Sequence, residues 1–387
     1  MDEPWDLVVV GAGPAGAAAA LGGLTAAPGL RVLLLDRAGF PRDKACGDGI
    51  SPDATAVLAD LGLADLLDDW TPVRRLELAR GTHRVSRPMR RPVRVVPRRV
   101  LDDRLLGAAV SAGARFERRR VRTVVTRGDV VVVDDELAAR VVVGADGAYS
   151  VVRRAAGAPA VRRRAIALRG YVPTTPRWAG RQIIAFDPDD TQAYAWCFDR
   201  GDGLANVGYG AFGRNGLTRT ALLRRLGELL PGADEGADWR GHHLPLSSWR
   251  WSQPGGRLLL AGDAAGLINP MTGEGIHYAV TTGAAAGRAA AAALLAGRPD
   301  TAGARHRAAV RRLLGRHLRH TAAAARLATA PAVLTAGLSA ADRDQHVFDD
   351  LVDLGLGEGR LTPRVISGLA RAVVTGRGRP HADRTRD

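Results

Sequence analysis

The stretch from Asp6 to Asp36 constrains the fold more than any other part of the chain. Asp6 to Val10 (DLVVV) reads as a short buried strand. It runs directly into Gly11-Ala-Gly13-Pro-Ala15-Gly16, then a helix of small residues through Ala20 to Leu24. A second strand, Arg31 to Leu35, ends on Asp36. The glycines serve different ends. Gly11 permits a tight turn, Gly13 lets backbone N–H groups approach a pyrophosphate, and Gly16 lets the helix lie against the strand. The helix N-terminus then presents its partial positive charge to phosphate. Asp36 can accept hydrogen bonds from both hydroxyls of a ribose and would repel a phosphorylated one, so the ligand is FAD or NAD and not NADP. A second match, Gly208-Tyr-Gly210-Ala-Phe-Gly213, is followed by Arg214-Asn-Gly rather than a small-residue helix. It reads as a strand leaving a sheet.

A chain of 387 residues has room for two domains, or for one nucleotide-binding domain with an inserted second layer. Aromatic residues are only 5%, so alanine, glycine and valine must build a core of closely approaching backbones. The net charge of +15 raises the question of an anionic partner. The arginines fall in scattered pairs and triplets, such as Arg118 to Arg120 and Arg162 to Arg164, not in one aromatic-studded stripe. No nucleic acid is expected; a solvated surface with some attraction to phosphates or a membrane face is. Two cysteines fit a reducing cytoplasm rather than a disulfide framework. The opening MDEPWDLVVV is not that of a signal peptide. Ala279 to Gly297 is interrupted by Thr281, Thr282 and Arg288, which suits a buried helix and not a membrane span. No internal repeat is evident and no metal is expected.

Two later segments repeat the strand-then-glycine logic. Arg140 to Arg154 gives a buried strand, a Gly-Ala-Asp-Gly turn and a polar helix start, with Asp146 and Ser150 placed to cap it. Arg257 onward (RLLLAGDAAGLINPMTGEGIHYA) gives a strand, Asp263, and a glycine-rich loop opening a long small-residue helix. Asp263 can face a ribityl or ribose hydroxyl, and the N–H groups after the loop can meet the electron-rich edge of a reduced flavin.

In this order the three segments resemble the flavoprotein monooxygenase superfamily typified by para-hydroxybenzoate hydroxylase. The resemblance spans residue 6 to about 290. It implies an α/β chain: a Rossmann-like FAD-binding domain with an inserted β-sheet substrate domain and a C-terminal helical region. The expected boundaries are 1–75, 98–160 and 250–300 for the FAD-binding domain, 76–97 and 161–249 for the substrate domain, and 301–387 for the helical region with a frayed tail after Gly376. Ala15, Arg37, Val121, Gly273, Gly275 and Ile276 join Gly11, Gly13, Gly16, Asp36, Asp146 and Asp263 as implied FAD-binding positions.

Within that superfamily, PRDKACGDGISP at 41–52 is similar to the loop of the geranylgeranyl reductase family, whose Lys-x-Cys-Gly segment lies along the isoalloxazine. The resemblance places Lys44, Cys46, Gly47 and Gly49 there. Tyr194-Ala-Trp196-Cys-Phe198 with the later Asn206-Val-Gly208 is similar to that family's Tyr-x-Trp-x-Phe-Pro motif, on a strand roofing the substrate cavity. The chain departs from it at Asp199, where the family usually has proline. Arg98, with Leu101-Asp102 and Leu105 behind it, matches a helix start whose arginine supports the FAD phosphates. Lys44, Cys46, Tyr194 and Trp196 are the implied catalytic positions.

Lys44 is the chain's only lysine; the other 54 of its 55 basic residues are arginine. Composition alone allows it to be a leftover surface lysine. The functional reading is a compact ammonium near the flavin, where it would stabilise the anionic reduced form. Cys46 reads either as a site residue or as a small buried filler, and Cys197 as core. Further on, Ala308 to Thr321 places Val310, Leu313, Leu314 and Leu318 on one face of a helix. Arg311, Arg312, Arg316 and Arg319 lie elsewhere on it. This is a packed helix with a solvated basic face, or an interfacial helix on anionic lipid.

The expected activity is an FAD-dependent reductase saturating C=C bonds of an isoprenoid or polyene lipid. The alternative is a monooxygenase of secondary metabolism on the same fold. The sequence YAWCFD, without a Trp-x-Trp-x-Ile-Pro motif, argues against halogenation. No second dinucleotide fold is present, so NAD(P)H would bind transiently or a ferredoxin would dock. The expected location is cytoplasmic, with peripheral membrane contact as the sharper reading.

Overall fold

The computed structural model describes residues 3–161, 163–213, 216–248, 251 and 253–376. The arginine that follows the second glycine match, Arg214, and the tail after Gly376 lie outside the described residues, as does Arg162.

Strands and helices are numbered in chain order. One sheet of seven strands holds β1 (Trp5–Val10), β2 (Val32–Asp36), β6 (Arg115–Arg118), β7 (Val124–Arg127), β8 (Val130–Val133), β9 (Leu137–Gly144) and β15 (Leu258–Leu260). Its order is β6-β2-β1-β9-β8-β7, with β15 also on β9. β6, β2, β1, β9 and β15 run parallel, and β8 and β7 extend the sheet antiparallel. Successive side chains of a strand point to opposite faces. Leu7 and Val9 therefore join one core with Leu34 and Val143, while Val8 and Val10 join another with Leu35 and Val142. Both faces are buried, which is why DLVVV is a continuous apolar run and not an alternating one.

The first of those cores is covered by α1 (Pro14–Ala26), α3 (Arg98–Ser111) and α6 (Ile276–Leu295), with α2 (Pro52–Asp60) beside them. α1 and α6 touch backbone to backbone. A Cβ on Gly287 would stand 1.9 Å from the Ala19 carbonyl oxygen, and one on Gly283 would stand 2.1 Å from that of Ala15. This is the close-backbone core that the scarcity of aromatics required. The second core takes α4 (Val151–Ala155) and α7 (Ala302–Leu327). On α7, Val310, Leu314 and Leu318 are fully buried, whereas Leu313 is 41% exposed. The expectation for Leu313 is thus corrected: on a 3.6-residue period it lies outside the narrow stripe that meets the sheet. The same helix carries seven arginines and no acidic residue, with Arg311, Arg312, Arg316 and Arg319 exposed.

The second sheet has eight strands, in the order β14-β10-β13-β12-β11-β4-β5-β3. They are β3 (Gly49–Ile50), β4 (Val73–Arg80), β5 (His83–Val95), β10 (Arg164–Pro173), β11 (Arg181–Phe186), β12 (Ala193–Asp199), β13 (Leu204–Phe212) and β14 (Ala237–Pro245). The second glycine match is thus strand, as its flanks indicated. α5 (Arg219–Leu229) covers one face, packing on Cys197 and Val207. α8 (Pro331–Arg343) and α9 (Gln345–Leu356) pack on β4 and β5, and α10 (Pro363–Gly376) packs on α8 and α9. Among the described residues no helix is long and apolar enough to cross a membrane.

Candidate functional site

One continuous cavity of about 900 Å³ is lined by both sheets. At one end the β1–α1 turn forms a cradle. Gly11 has φ +98°, and a Cβ there would lie 2.3 Å from the Ala145 oxygen, so only glycine fits. A Cβ on Gly13 would meet the Arg42 guanidinium at 2.9 Å and project towards Arg98. Gly13 and Ala15 line the cavity, whereas Gly16 does not: a Cβ on it would sit 1.7 Å from the Gly11 oxygen, so its part is to seat the helix on the strand. The first N–H groups of α1 have no intrahelical acceptor and no acidic residue in that turn competes for them. Asp36 lines the same end with Arg37 and Val121. Its carboxylate accepts from the N–H of Ala12 and of Ala38, both at 2.9 Å, which braces the turn and leaves further lone pairs.

Arg98 is 5% exposed and its fork is held by Asp102, through Nε at 2.6 Å and an Nη at 2.8 Å. Burial disfavours its charge, but the Asp102 carboxylate more than restores it, and its pKa is raised. Arg42 shares Asp102 at 3.1 Å, and burial lowers its pKa. Two guanidiniums against one carboxylate leave net positive charge beside the glycine cradle. Arg42 was not singled out in the sequence, although it lies two residues before Lys44 in the stretch that was.

The loop leading to Gly49 crosses from this end to the second sheet. Lys44 Nζ meets Asp263 Oδ2 at 3.0 Å, joining two motifs 219 residues apart. Burial would push the Asp263 carboxyl up, but the ammonium beside it holds it below the usual carboxylate range. Lys44 is thus a half-buried cation in a defined pair. His242, on β14, also faces the cavity here; burial and the Lys44 charge push it down to about 4, so it is neutral at pH 7. Asp146, which also lines the cavity, accepts from Ser150 Oγ and from the N–H of Val151 at 2.6 Å. Ser150 Oγ in turn accepts from Arg153 N at 2.9 Å and caps α4.

Beyond Lys44 the loop is fixed to the second sheet. Arg169, on β10, is 1% exposed; one of its nitrogens donates to Asp43 at 2.7 Å and to the Lys44 carbonyl at 2.8 Å. Asn206 donates to the Cys46 carbonyl at 2.9 Å and to Asp48 at 2.7 Å, and accepts from Trp196 Nε1 at 2.8 Å. Tyr171 donates to the same Asp48 oxygen at 2.6 Å. Gly47 faces the aromatic strand, since a Cβ there would be 3.3 Å from the Phe198 ring. Gly49 lies by Gln182. Burial raises the Cys46 thiol, which keeps it protonated.

Tyr194, Trp196 and Phe198 alternate along β12 and all line the cavity, while Cys197 points the other way into the α5 core. Asp199 shares that opposite face, accepting from Thr174 and from the Gly180 N–H at 2.6 Å, and does not line the cavity. Tyr194 donates to the Thr272 carbonyl, and burial raises its pKa. Gly273, Gly275 and Ile276 close the far side with Glu274, whose carboxyl burial pushes up to about 7. Asp48, Glu274, Asn206 and Arg169 were not read as site residues. Asp48 and Glu274 had a signal in their places between two glycines of a quoted loop, and Asn206 in the quoted Asn-Val-Gly segment; Arg169 had none.

An acidic strand end, a glycine cradle and paired guanidiniums fit a dinucleotide with a free ribose. Asp36→Ala should cost about 1.5–3 kcal/mol of dinucleotide binding, as a charged acceptor is lost. Full FAD occupancy after extensive dialysis of that variant would contradict the assignment.

The FAD binding domain family matches residues 5–183. The chain is 34% identical over 317 residues to a menaquinone reductase of Mycolicibacterium smegmatis, covering 73% of this chain and 75% of that one. It is 34% identical to digeranylgeranylglycerophospholipid reductase 1 of Methanopyrus kandleri, covering 75% and 81%. Among solved structures, a geranylgeranyl bacteriochlorophyll reductase-like protein from Thermoplasma acidophilum superposes with a TM-score of 0.78 at 21% identity, covering 97% and 98%. That likeness establishes the para-hydroxybenzoate hydroxylase-like fold. The cofactor is FAD, and the chain belongs to the geranylgeranyl reductase family of FAD-dependent oxidoreductases.

Proposed function

We propose that the protein saturates C=C bonds of an isoprenoid or polyene lipid. The observation that carries this reading is the wall opposite the dinucleotide cradle. Tyr194, Trp196, Phe198, Phe212, Ile184 and Leu244 face the same cavity, an aromatic and aliphatic surface suited to a prenyl chain. The relatives' names, digeranylgeranylglycerophospholipid reductase and menaquinone reductase among them, support a lipid substrate. Bound FAD, once reduced, supplies a hydride. Lys44, which Asp263 holds in place, and Cys46 would help hold the bound cofactor, and Tyr194 and Trp196 would orient the alkene and exclude water.

The electron donor is NAD(P)H binding transiently, or a ferredoxin meeting the arginine-rich surface. The acid-free basic face of α7, with exposed Leu313 and Leu327, suits peripheral contact with anionic lipid. Incubating the reduced protein with a geranylgeranyl lipid under argon should give a product heavier by one H2. A product heavier by one oxygen atom, formed only in air, would make the protein a monooxygenase and overturn the reading.

A further inference from the structure

Saturating an alkene adds a hydride to one carbon and a proton to the other. Given the reading above, on which this inference rests, the proton needs an acid on the cavity wall. Most acidic groups there are committed. Asp36 accepts two backbone N–H groups, Asp43 is held by Arg169 and Arg240, Asp146 accepts from Ser150 Oγ and the Val151 N–H, and Asp263 is paired with Lys44. Tyr194 commits its O–H to a hydrogen bond with the Thr272 carbonyl.

Asp48 differs from all of these. It is 0% exposed and lines the cavity between Gly47, where a Cβ would stand 3.3 Å from the Phe198 ring, and Gly49. Both of its donors, Tyr171 and Asn206, reach Oδ2, and buried Oδ1 has no hydrogen-bond partner. A carboxylic acid carries one proton, and with Oδ2 occupied as an acceptor that proton sits on Oδ1, where no protein group competes for it. The backbone adds a second cost. Asp48 has φ +59°, a left-handed conformation that glycine adopts most cheaply, yet an aspartate stands there between two glycines. Its donors lie on the cavity face of the sheet: Asn206 pairs in register with Phe198, and Tyr171 with Asn206.

We propose that Asp48 is the catalytic acid that protonates the second alkene carbon. As the π bond breaks, one carbon receives the hydride from the reduced cofactor, which is oxidised by those two electrons. The other carbon forms its C–H bond with the Asp48 proton, leaving a carboxylate held by Tyr171 and Asn206. Water returns the proton after the saturated product leaves. Burial pushes this carboxyl up to about 6, against the opposing pull of Arg169, the hydrogen bonds from Tyr171 and Asn206, and the charge of Arg98. Cys46 is its other titratable neighbour, on the same loop. The protonated form is populated below that value and lost as pH rises through it.

Asp48→Asn keeps size and an acceptor oxygen but has no acid proton. It should retain FAD and be reduced by dithionite like wild type. Anaerobic reoxidation by a geranylgeranyl lipid should slow by at least about 10²-fold. Glu274→Gln, removing another raised carboxyl of the cavity, should slow that reoxidation far less than Asp48→Asn does. Independently of turnover, infrared difference spectra of the FAD-free protein should show a carboxylic C=O band titrating near pH 6 that Asp48→Asn lacks. Tyr171→Phe, which removes one donor to the carboxylate, should move that titration to higher pH, and serves if Asp48→Asn does not fold. Reoxidation of Asp48→Asn at the wild-type rate, or loss of the rate in Glu274→Gln instead, would overturn the assignment. If wild type itself is not reoxidised by the lipid, the proposed function fails, and absence of the infrared band would then overturn Asp48 separately.

Discussion

Arg169→Met should be the most damaging single change in the site, lowering stability by about 3 kcal/mol and releasing FAD. The guanidinium is 1% exposed, donates to Asp43 and the Lys44 carbonyl, and stacks over Tyr171 at 4.4 Å. Removing one member of a buried pair leaves the other's desolvation uncompensated, which costs about 3–5 kcal/mol. The lower end applies because Arg240 still reaches Asp43 at 2.8 Å. Arg169→Lys keeps charge but loses the fork, since an ammonium on its shorter stem cannot satisfy Asp43, the carbonyl and the Tyr171 ring together, so it should fall between. Denaturant midpoints read the first effect and retained flavin the second. A variant with wild-type midpoint and occupancy would show that Arg169 does not fix the loop.

The flavin potential should fall when Lys44 is replaced, in the order wild type, Lys44→Arg, Lys44→Met. An ammonium near the ring favours the reduced anion. The pairing with Asp263 sharpens the expectation: without Lys44 the cavity keeps the carboxylate, so the local charge moves from near zero to negative. A charge at partly solvated range is worth on the order of 1 kcal/mol, about 20 mV for a two-electron couple. Lys44→Met combined with Asp263→Asn removes both charges and should recover most of the loss, a coupling that a double-variant cycle measures. Spectroelectrochemical titration decides it. Equal potentials in all four proteins would make Lys44 the lysine that composition left behind.

What could be read from the sequence follows the range of the interactions. The turn at Gly11 to Gly16 and its partner Asp36 form one local βαβ unit, so spacing alone reveals them. The alternation Tyr194, Trp196, Phe198 gives one strand face, and Cys197 and Asp199 fall on the other as period two requires. Leu313 was misplaced because helical periodicity does not reveal how wide a stripe its neighbour covers. The pairings that hold the flavin loop were not legible for a different reason, although Asn206 itself stood in a quoted motif. Arg169 and Asn206 act on Asp43, Lys44, Cys46 and Asp48 across 125 to 160 positions of chain, and no short motif encodes such a pairing. Lys44 drew attention by its rarity, but its partner Asp263 had been read towards a hydroxyl instead. The two residues explain each other only once the sheets are assembled.

The central claim is that electrons pass from the flavin to a carbon–carbon double bond, and single-turnover reoxidation tests it most directly. The protein is reduced stoichiometrically with dithionite, mixed with a geranylgeranyl lipid under strict anaerobiosis, and followed at the oxidised-flavin absorbance. Recovery of the oxidised flavin without oxygen, with one double bond saturated per flavin, is the predicted result. A flavin that stays reduced until oxygen is admitted would contradict it.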